Sequence, residues 1–224
     1  MFKKCFFKFS QIIFLLSFLT ISAAINANLI VNGSFEDDPF TANGNYQLGL
    51  TSSDVTGWDI PNSNGTYPWG LQDGAFGAFT PYGSQFVVLG LWSSGFEYSI
   101  QQTMSGLIVG ETYHLSFAIA SEQGCCSQAE VSFLDGSSTS AQVFNAPSSG
   151  NFWTDWGERS MDFVATSNTV TLQFKNVNVS STNGYDLGLD NVIVEQVSIP
   201  EPTSIALLGL GLIILSVMRK RDHS

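Results

Sequence analysis

The stretch Thr112-Tyr113-His114-Leu115-Ser116-Phe117-Ala118-Ile119-Ala120 decides the fold. Tyr113, Leu115, Phe117 and Ile119 fall on one side of an extended chain, and His114, Ser116 and Ala118 on the other. This is the period of two that a half-buried strand requires. Thr169-Val170-Thr171-Leu172-Gln173-Phe174-Lys175 repeats the pattern, with Val170, Leu172 and Phe174 turned inward. Similar short runs recur at 85–91, 96–102, 129–134, 158–165 and 189–197. Polar clusters separate them, such as Asp135-Gly136-Ser137-Ser138 and Ser148-Ser149-Gly150-Asn151, which are turn chemistry. Outside the two termini no helical period of useful length occurs. Many short strands with polar turns predict an all-β chain, an antiparallel β-sandwich of the jelly-roll type. The segment involved, 28–197, is long enough for one well-buried domain and too short for two.

The termini have a different character. Lys3, Lys4 and Lys8 precede an apolar stretch from Ile12 to Ile21, followed by the small residues Ala23, Ala24 and Ala27. That order predicts a signal peptide over 1–27, cut after Ala27, with a cut after Ala24 as the second choice. At the other end, Ile199-Pro200-Glu201-Pro202 leads into an uncharged run from Ile205 to Met218 and then Arg219-Lys220-Arg221. A helix of fourteen residues rises only about 21 Å, short of the roughly 30 Å hydrocarbon core. The hydrophobic segment, 203–218, therefore suits a brief membrane stop better than a permanent anchor. Basic residues flank both apolar segments on what the positive-inside rule makes the cytoplasmic side. Everything between them is expected to be exported.

The three-part tail (Pro200, Glu201, Pro202; the apolar helix; Arg219, Lys220, Arg221) resembles the PEP-CTERM sorting signal. That resemblance covers 198–224 and implies an exosortase-type processing enzyme as partner. It places the protein at the cell surface or in the extracellular matrix, transiently membrane-anchored. The same kind of tail also goes under the label of an ice-binding-protein C-terminal domain, which makes ice binding a third and weaker option.

Charge narrows the function. The chain has 8 Lys and Arg against 19 Asp and Glu. The two ends hold six of those basic residues, leaving only Arg159 and Lys175 in the exported core against 17 acidic ones, a net charge of −15. Nucleic-acid binding is excluded on that balance, whereas divalent cations are compatible with it. Of the cysteines, Cys5 leaves with the signal peptide, and Cys125 and Cys126 are adjacent. Neighbouring Cα atoms lie about 3.8 Å apart, closer than the roughly 4.4–6.8 Å of ordinary disulfides. A strained bond between them, two free thiols or links to another chain all remain open, and an incidental loop feature is the simplest reading.

A second resemblance rests on the opening Asn28-Leu29-Ile30-Val31-Asn32-Gly33-Ser34-Phe35-Glu36 and the closing Gly188-Leu189-Asp190-Asn191-Val192-Ile193-Val194. Gly57-Trp58, Gly83-Ser84-Gln85-Phe86-Val87, Ser99-Ile100-Gln101-Gln102 and Gly110-Glu111-Thr112-Tyr113 stand between them. Together these look like the galactose-binding-like jelly rolls, which include carbohydrate-binding modules and the DUF642-type secreted domains. DUF642-type chains usually carry widely spaced disulfide cysteines, which this one lacks, so the resemblance is to the broad superfamily. In calcium-binding members, a Glu after the opening motif and an Asp near the closing strand hold a structural Ca2+. The matching positions are Glu36 and Asp190, with carbonyls around Gly33 as further ligands. The residues alone leave a second reading open, in which Glu36 caps a turn and Asp190 bonds nearby amides.

Trp58, Tyr67, Trp69, Phe76, Phe79 and Tyr82 crowd a Gly-, Pro- and Asn-rich segment, and Trp92, Trp153 and Trp156 add to them. Flat rings on polar loops stack on sugar C–H faces. Trp58 is expected in the core; Trp69 and Trp92 are expected to be exposed and ligand-binding. His114, the core's one histidine, sits mid-strand, where a solvent-facing or satisfied sheet residue outweighs a general base. There is no Gly-x-Ser-x-Gly elbow and no His-Glu-x-x-His helix. The expectation is a non-enzymatic module for extracellular polysaccharide or biofilm matrix. The alternative is a structural matrix protein without a specific small ligand, with an ice-binding protein or a glycoside hydrolase behind both.

Overall fold

Alternation along the strands is realised as two packed antiparallel sheets. The computed structural model describes residues 27–61, 68–90, 98–122, 127–135, 139–147, 152–177 and 186–197, together with Gly209 and Gly211. The strands are β1 (Tyr46–Gln47), β2 (Trp69–Gln72), β3 (Gln85–Leu89), β4 (Ser99–Ser105), β5 (Thr112–Ser121), β6 (Gln128–Leu134), β7 (Thr139–Asn145), β8 (Trp156–Val164), β9 (Thr169–Asn176) and β10 (Leu187–Gln196). One sheet has the order β1-β2-β3-β10-β5-β8, the other β4-β9-β6-β7. Tyr113, Leu115, Phe117 and Ile119 of β5 are buried with Val170, Leu172 and Phe174 of β9 in the core between them. Phe117 meets Phe174 edge-on at 5.1 Å, and Phe133 stacks on Phe163 at 3.8 Å. The fold is thus the expected all-β sandwich, and Trp58 lies in its core.

Three strands were not legible. β1 and β2 fall in the stretch read as aromatic loop, and β7, Thr139-Ser140-Ala141-Gln142-Val143-Phe144-Asn145, is too polar to stand out. Its place at the sheet edge explains that composition, since among the described residues only β6 pairs with it. Trp92, Cys125, Cys126, residues 1–26 and the sorting residues Pro200, Glu201, Pro202, Arg219, Lys220 and Arg221 lie outside the described residues. No helix among the described residues is long and apolar enough to cross a membrane.

The opening segment is not a regular strand, yet it runs beside β10. Leu29 N donates to Val194 O (2.9 Å), Val194 N to Asn28 Oδ1 (3.0 Å) and Val192 N to Gly33 O (2.8 Å). Gly33 is required by close approach: a Cβ there would lie 2.0 Å from Val192 O. Ala27–Val197 forms one compact unit.

Replacing Gly33 with alanine is therefore expected to destabilise residues 28–197 by about 1–3 kcal/mol, as overpacking against backbone does. Urea unfolding of Gly33→Ala beside a Ser105→Ala surface control measures it; equal midpoints would contradict the contact.

Candidate functional site

The six-stranded sheet is buried on both faces at one end. Within β3, Val87 and Leu89 enter the inter-sheet core while Phe86 and Val88 join a second apolar cluster on the opposite face. That cluster contains Trp69, Leu71, Ala75, Ala78, Ala120 and Trp153, with Tyr46 and Trp156 packed against it. Gly188 of β10 makes room: a Cβ there would meet Trp153 Cδ1 at 2.9 Å and Trp156 Cη2 at 3.1 Å. Two loops, 73–84 and 152–155, form the lid of this cluster.

Seven rings run across it in sequence of contact. Tyr82 meets Trp156 edge-on at 6.3 Å, Trp156 meets Phe86 at 5.0 Å, and Phe86 meets Trp153 at 6.1 Å. Trp153 meets Trp69 edge-on at 5.7 Å, Trp69 meets Phe76 at 5.9 Å, and Phe76 meets Tyr46 at 5.1 Å. Each such pair is worth about 0.5–1.5 kcal/mol beyond its burial. The expectation that Trp69 is exposed is corrected: at 9% exposure it belongs to β2 and to the base of this cluster. Paired with Val88 of β3, it is held down by its neighbours on the sheet. Among the described residues the exposed rings are Phe76 (54%), Phe79 (53%) and Phe152 (37%). Phe76 has φ 54° between Gly74 (φ 86°) and Gly77 (φ 81°). A bulky residue in left-handed backbone is strained, and such strain gathers at functional sites. Trp153, also at positive φ (41°), is buried, and its Nε1 has no acceptor among the described residues.

The loop carrying Phe76 and Phe79 is pinned to β10. Thr80 Oγ1 donates to Asp190 Oδ2 at 2.5 Å, and Thr80 N donates to Asp73 Oδ1 at 2.9 Å. Trp156 Nε1 donates to Phe79 O at 2.6 Å, and Tyr82 Oη to Glu158 Oε1 at 3.2 Å. Asp190 is wholly buried at a bulge where the β10–β5 register shifts between Asp190 and Ile193. Asn191 takes φ 51° there and donates its N–H to Asp190 Oδ1 (2.7 Å).

Glu36 and Asp190 come from opposite ends of the domain into one electrostatic neighbourhood. Burial pushes the Asp190 carboxyl up to about 7; the bonds from Thr80 and Asn191 oppose this, and the charges of Glu36 and Asp73 add to it. Burial, then the charge and hydrogen bond of Glu158, and then Asp190 push the Tyr82 hydroxyl up as well. Glu36 is hydrogen-bonded to the neighbouring loop, Oε1 accepting from Ser84 N (2.7 Å) and Gln85 N (2.9 Å) and Oε2 from Ser84 Oγ (2.7 Å), which leaves Oε2 one acceptor site. Among the described residues no group of three His, Cys, Asp or Glu is placed to hold a metal. The donor set is nonetheless all oxygen, the chemistry of a hard cation, and no cationic side chain is paired with Asp190 among the described residues. His114 lies elsewhere on this sheet, solvent-facing, with Nδ1 2.6 Å from Asp162 Oδ1.

These features define a jelly-roll domain of two packed antiparallel sheets. Residues 28–195 match the family described as DUF642, protein of unknown function, and the chain belongs to it. Residues 198–221 match the PEP-CTERM protein-sorting motif, the mark of an exported, cell-surface protein. The adjacent cysteines thus do not keep the chain out of the DUF642 family. No curated protein sequence matches. Among solved structures, an arabinose-bound α-L-arabinofuranosidase is similar in fold, with TM-score 0.51 and 14% identity over 77% of this chain and 27% of that one. A carbohydrate-binding module in complex with β-1,4-galactotriose is 12% identical over 76% of this chain and 99% of its own, with TM-score 0.48. A family 16 carbohydrate-binding module is 18% identical over 75% of this chain and 99% of its own, with TM-score 0.45.

A carboxyl whose folded pKa is raised binds more protons folded than unfolded, so stability falls as pH rises between the two values. Without divalent cations, the domain is expected to lose stability between about pH 4, the ordinary range of Asp, and about pH 7. Asp190→Asn should flatten that slope and be the more stable form at pH 8 in urea unfolding. Parallel pH profiles for the two proteins would contradict the assignment.

Proposed function

We propose that this is an exported, surface-sorted protein that binds polysaccharide of the extracellular matrix without transforming it. The observation that carries the reading is the set of exposed rings Phe76, Phe79 and Phe152 on a rigid aromatic base. Sugar C–H faces stack on such rings, and neighbouring hydroxyl and carboxylate groups accept or donate to sugar hydroxyls. The strain at Phe76 supports it, because left-handed backbone holds a half-exposed bulky ring at the rim of the cluster, against Tyr46 and Trp69. Binding without catalysis fits the placement of the perturbed carboxyl. Asp190 has no exposure and lies bonded to Thr80, out of reach of a glycosidic bond. The reading includes removal of residues 1–27 on export. It also includes transient membrane retention through 203–218 and processing at Pro200-Glu201-Pro202 by an exosortase-type enzyme.

Phe76→Ala and Phe79→Ala are expected to weaken binding to matrix polysaccharide about tenfold each. The melting temperature of Phe79→Ala should stay near wild type, since that ring is exposed, whereas Phe76→Ala also loses its contacts with Tyr46 and Trp69 and should melt lower. Affinity electrophoresis against a panel of polysaccharides, followed by titration with the best binder, makes the measurement. Unchanged affinity in both variants would overturn the site.

The same proposal gives Glu36 and Asp190 a structural calcium. Calcium would hold the opening segment to β10 and neutralise the buried carboxylate that Glu36 and Asp73 disfavour. A cation binding only the folded state stabilises it by about 2.7 kcal/mol at a hundredfold excess over Kd. Melting temperature should fall with EDTA and recover with calcium in preference to magnesium. Glu36→Gln and Asp190→Asn should each abolish that response, and identical melts in all conditions would remove the metal from the account.

A further inference from the structure

The exported core has only two Lys or Arg residues, and both are engaged away from the aromatic surface. Arg159 donates from Nη2 and Nε to Asn145 O (2.7 and 3.2 Å) and from Nη1 to Glu158 O (2.8 Å), tying β8 to the end of β7. Lys175 is on the four-stranded sheet, 4.0 Å from Glu130. His114 faces Asp162. Nothing described on the aromatic surface offers a positive charge to a uronate, sulfate or phosphate.

The same surface is well supplied with negative charge. Glu158 is exposed and accepts the Tyr82 hydroxyl beside the Tyr82–Trp156 ring pair, and the Trp156 indole donates to the carbonyl of Phe79, whose ring is exposed. Glu36, Asp73 and Asp190 lie under the adjoining loop. A ring face next to a carboxylate is the arrangement that recognises an ammonium group, through the ring quadrupole and direct charge pairing. Resting on the reading of this surface as a glycan site, we propose that it selects polysaccharides bearing free amines, such as glucosamine polymers. The amine is seated at Glu158 beside the Tyr82–Trp156 ring pair. Anionic polysaccharides are repelled, and neutral ones bind through stacking alone.

Full chain in detergent micelles, titrated at mildly acidic pH, is offered three oligosaccharides of equal length: glucosamine, N-acetylglucosamine and galacturonate. The glucosamine oligomer is expected to bind about tenfold more tightly than its acetylated counterpart. Raising the salt concentration should shrink that gap, because exposed charge pairs are screened. Galacturonate should bind weakest. Glu158→Gln should erase the preference for the amine, whereas Glu130→Gln, the same charge change on the other sheet, should leave it. Equal affinity for the amine and acetyl forms, galacturonate binding as tightly as either, or an unaltered preference in Glu158→Gln would each overturn the inference. In those cases binding of the acetylated oligomer that still depends on Phe79 would leave the glycan site standing. If none of the three binds, the glycan site fails and this inference falls with it.

Discussion

Burial of β10 on both sides is the constraint on which the rest of the structure depends. Leu187, Leu189, Val192 and Val194 enter the core between the sheets, while Gly188 and Asp190 face the aromatic cluster and its lid. A strand in the middle of a sheet with one wet face would carry polar residues at those alternate positions. Here one is glycine, so that Trp153 and Trp156 can lie against the backbone, and the other is a carboxylate with no exposure. The opening segment fastens to the same strand through the amides of Val192 and Val194. Both ends of the domain and the proposed glycan surface therefore meet on ten residues.

This arrangement joins packing to function. The loop that lifts Phe76 and Phe79 into solvent is tied to β10 by the side-chain bond from Thr80 to Asp190, to β8 by the bonds of Trp156 and Tyr82, and to itself by Thr80 N to Asp73. Whatever charge state or cation Asp190 takes is thus felt one residue from Phe79. The aromatic base beneath is packed in edge-to-face and tilted contacts, and Phe76 and Phe152 rest on it through Trp69 and Trp153, so those two rings have less freedom to lose when a ligand settles on them. A rigid base with exposed rings is the economical design for a stacking site.

Much of this was readable from the residues. Alternation in 112–120 and 169–175 located the central strands because one face of each is solvated or polar. The opening and closing motifs placed Glu36 and Asp190 near each other, since a jelly roll brings its chain ends together. The second apolar cluster was less legible, although two signals for it exist. Phe86-Val87-Val88-Leu89 is apolar without alternation, and Ala118-Ile119-Ala120 puts small residues where an outward face would ordinarily be polar. Both say that something covers the sheet there. Trp69 was misplaced for the same reason: its surroundings in sequence look like loop, but pairing with Val88 is a long-range event that local composition does not encode. β7 escaped notice because an edge strand with exposed neighbours needs few apolar residues.

Hydrogen–deuterium exchange of the protein with and without its best-binding polysaccharide tests the central claim most directly, because it reports the contact surface without any substitution. The account predicts ligand-dependent protection concentrated in residues 73–82 and 152–156, the loops that carry Phe76, Phe79, Tyr82, Phe152 and Trp156. Protection confined to the outward Thr103–Thr171 face of the four-stranded sheet would contradict it.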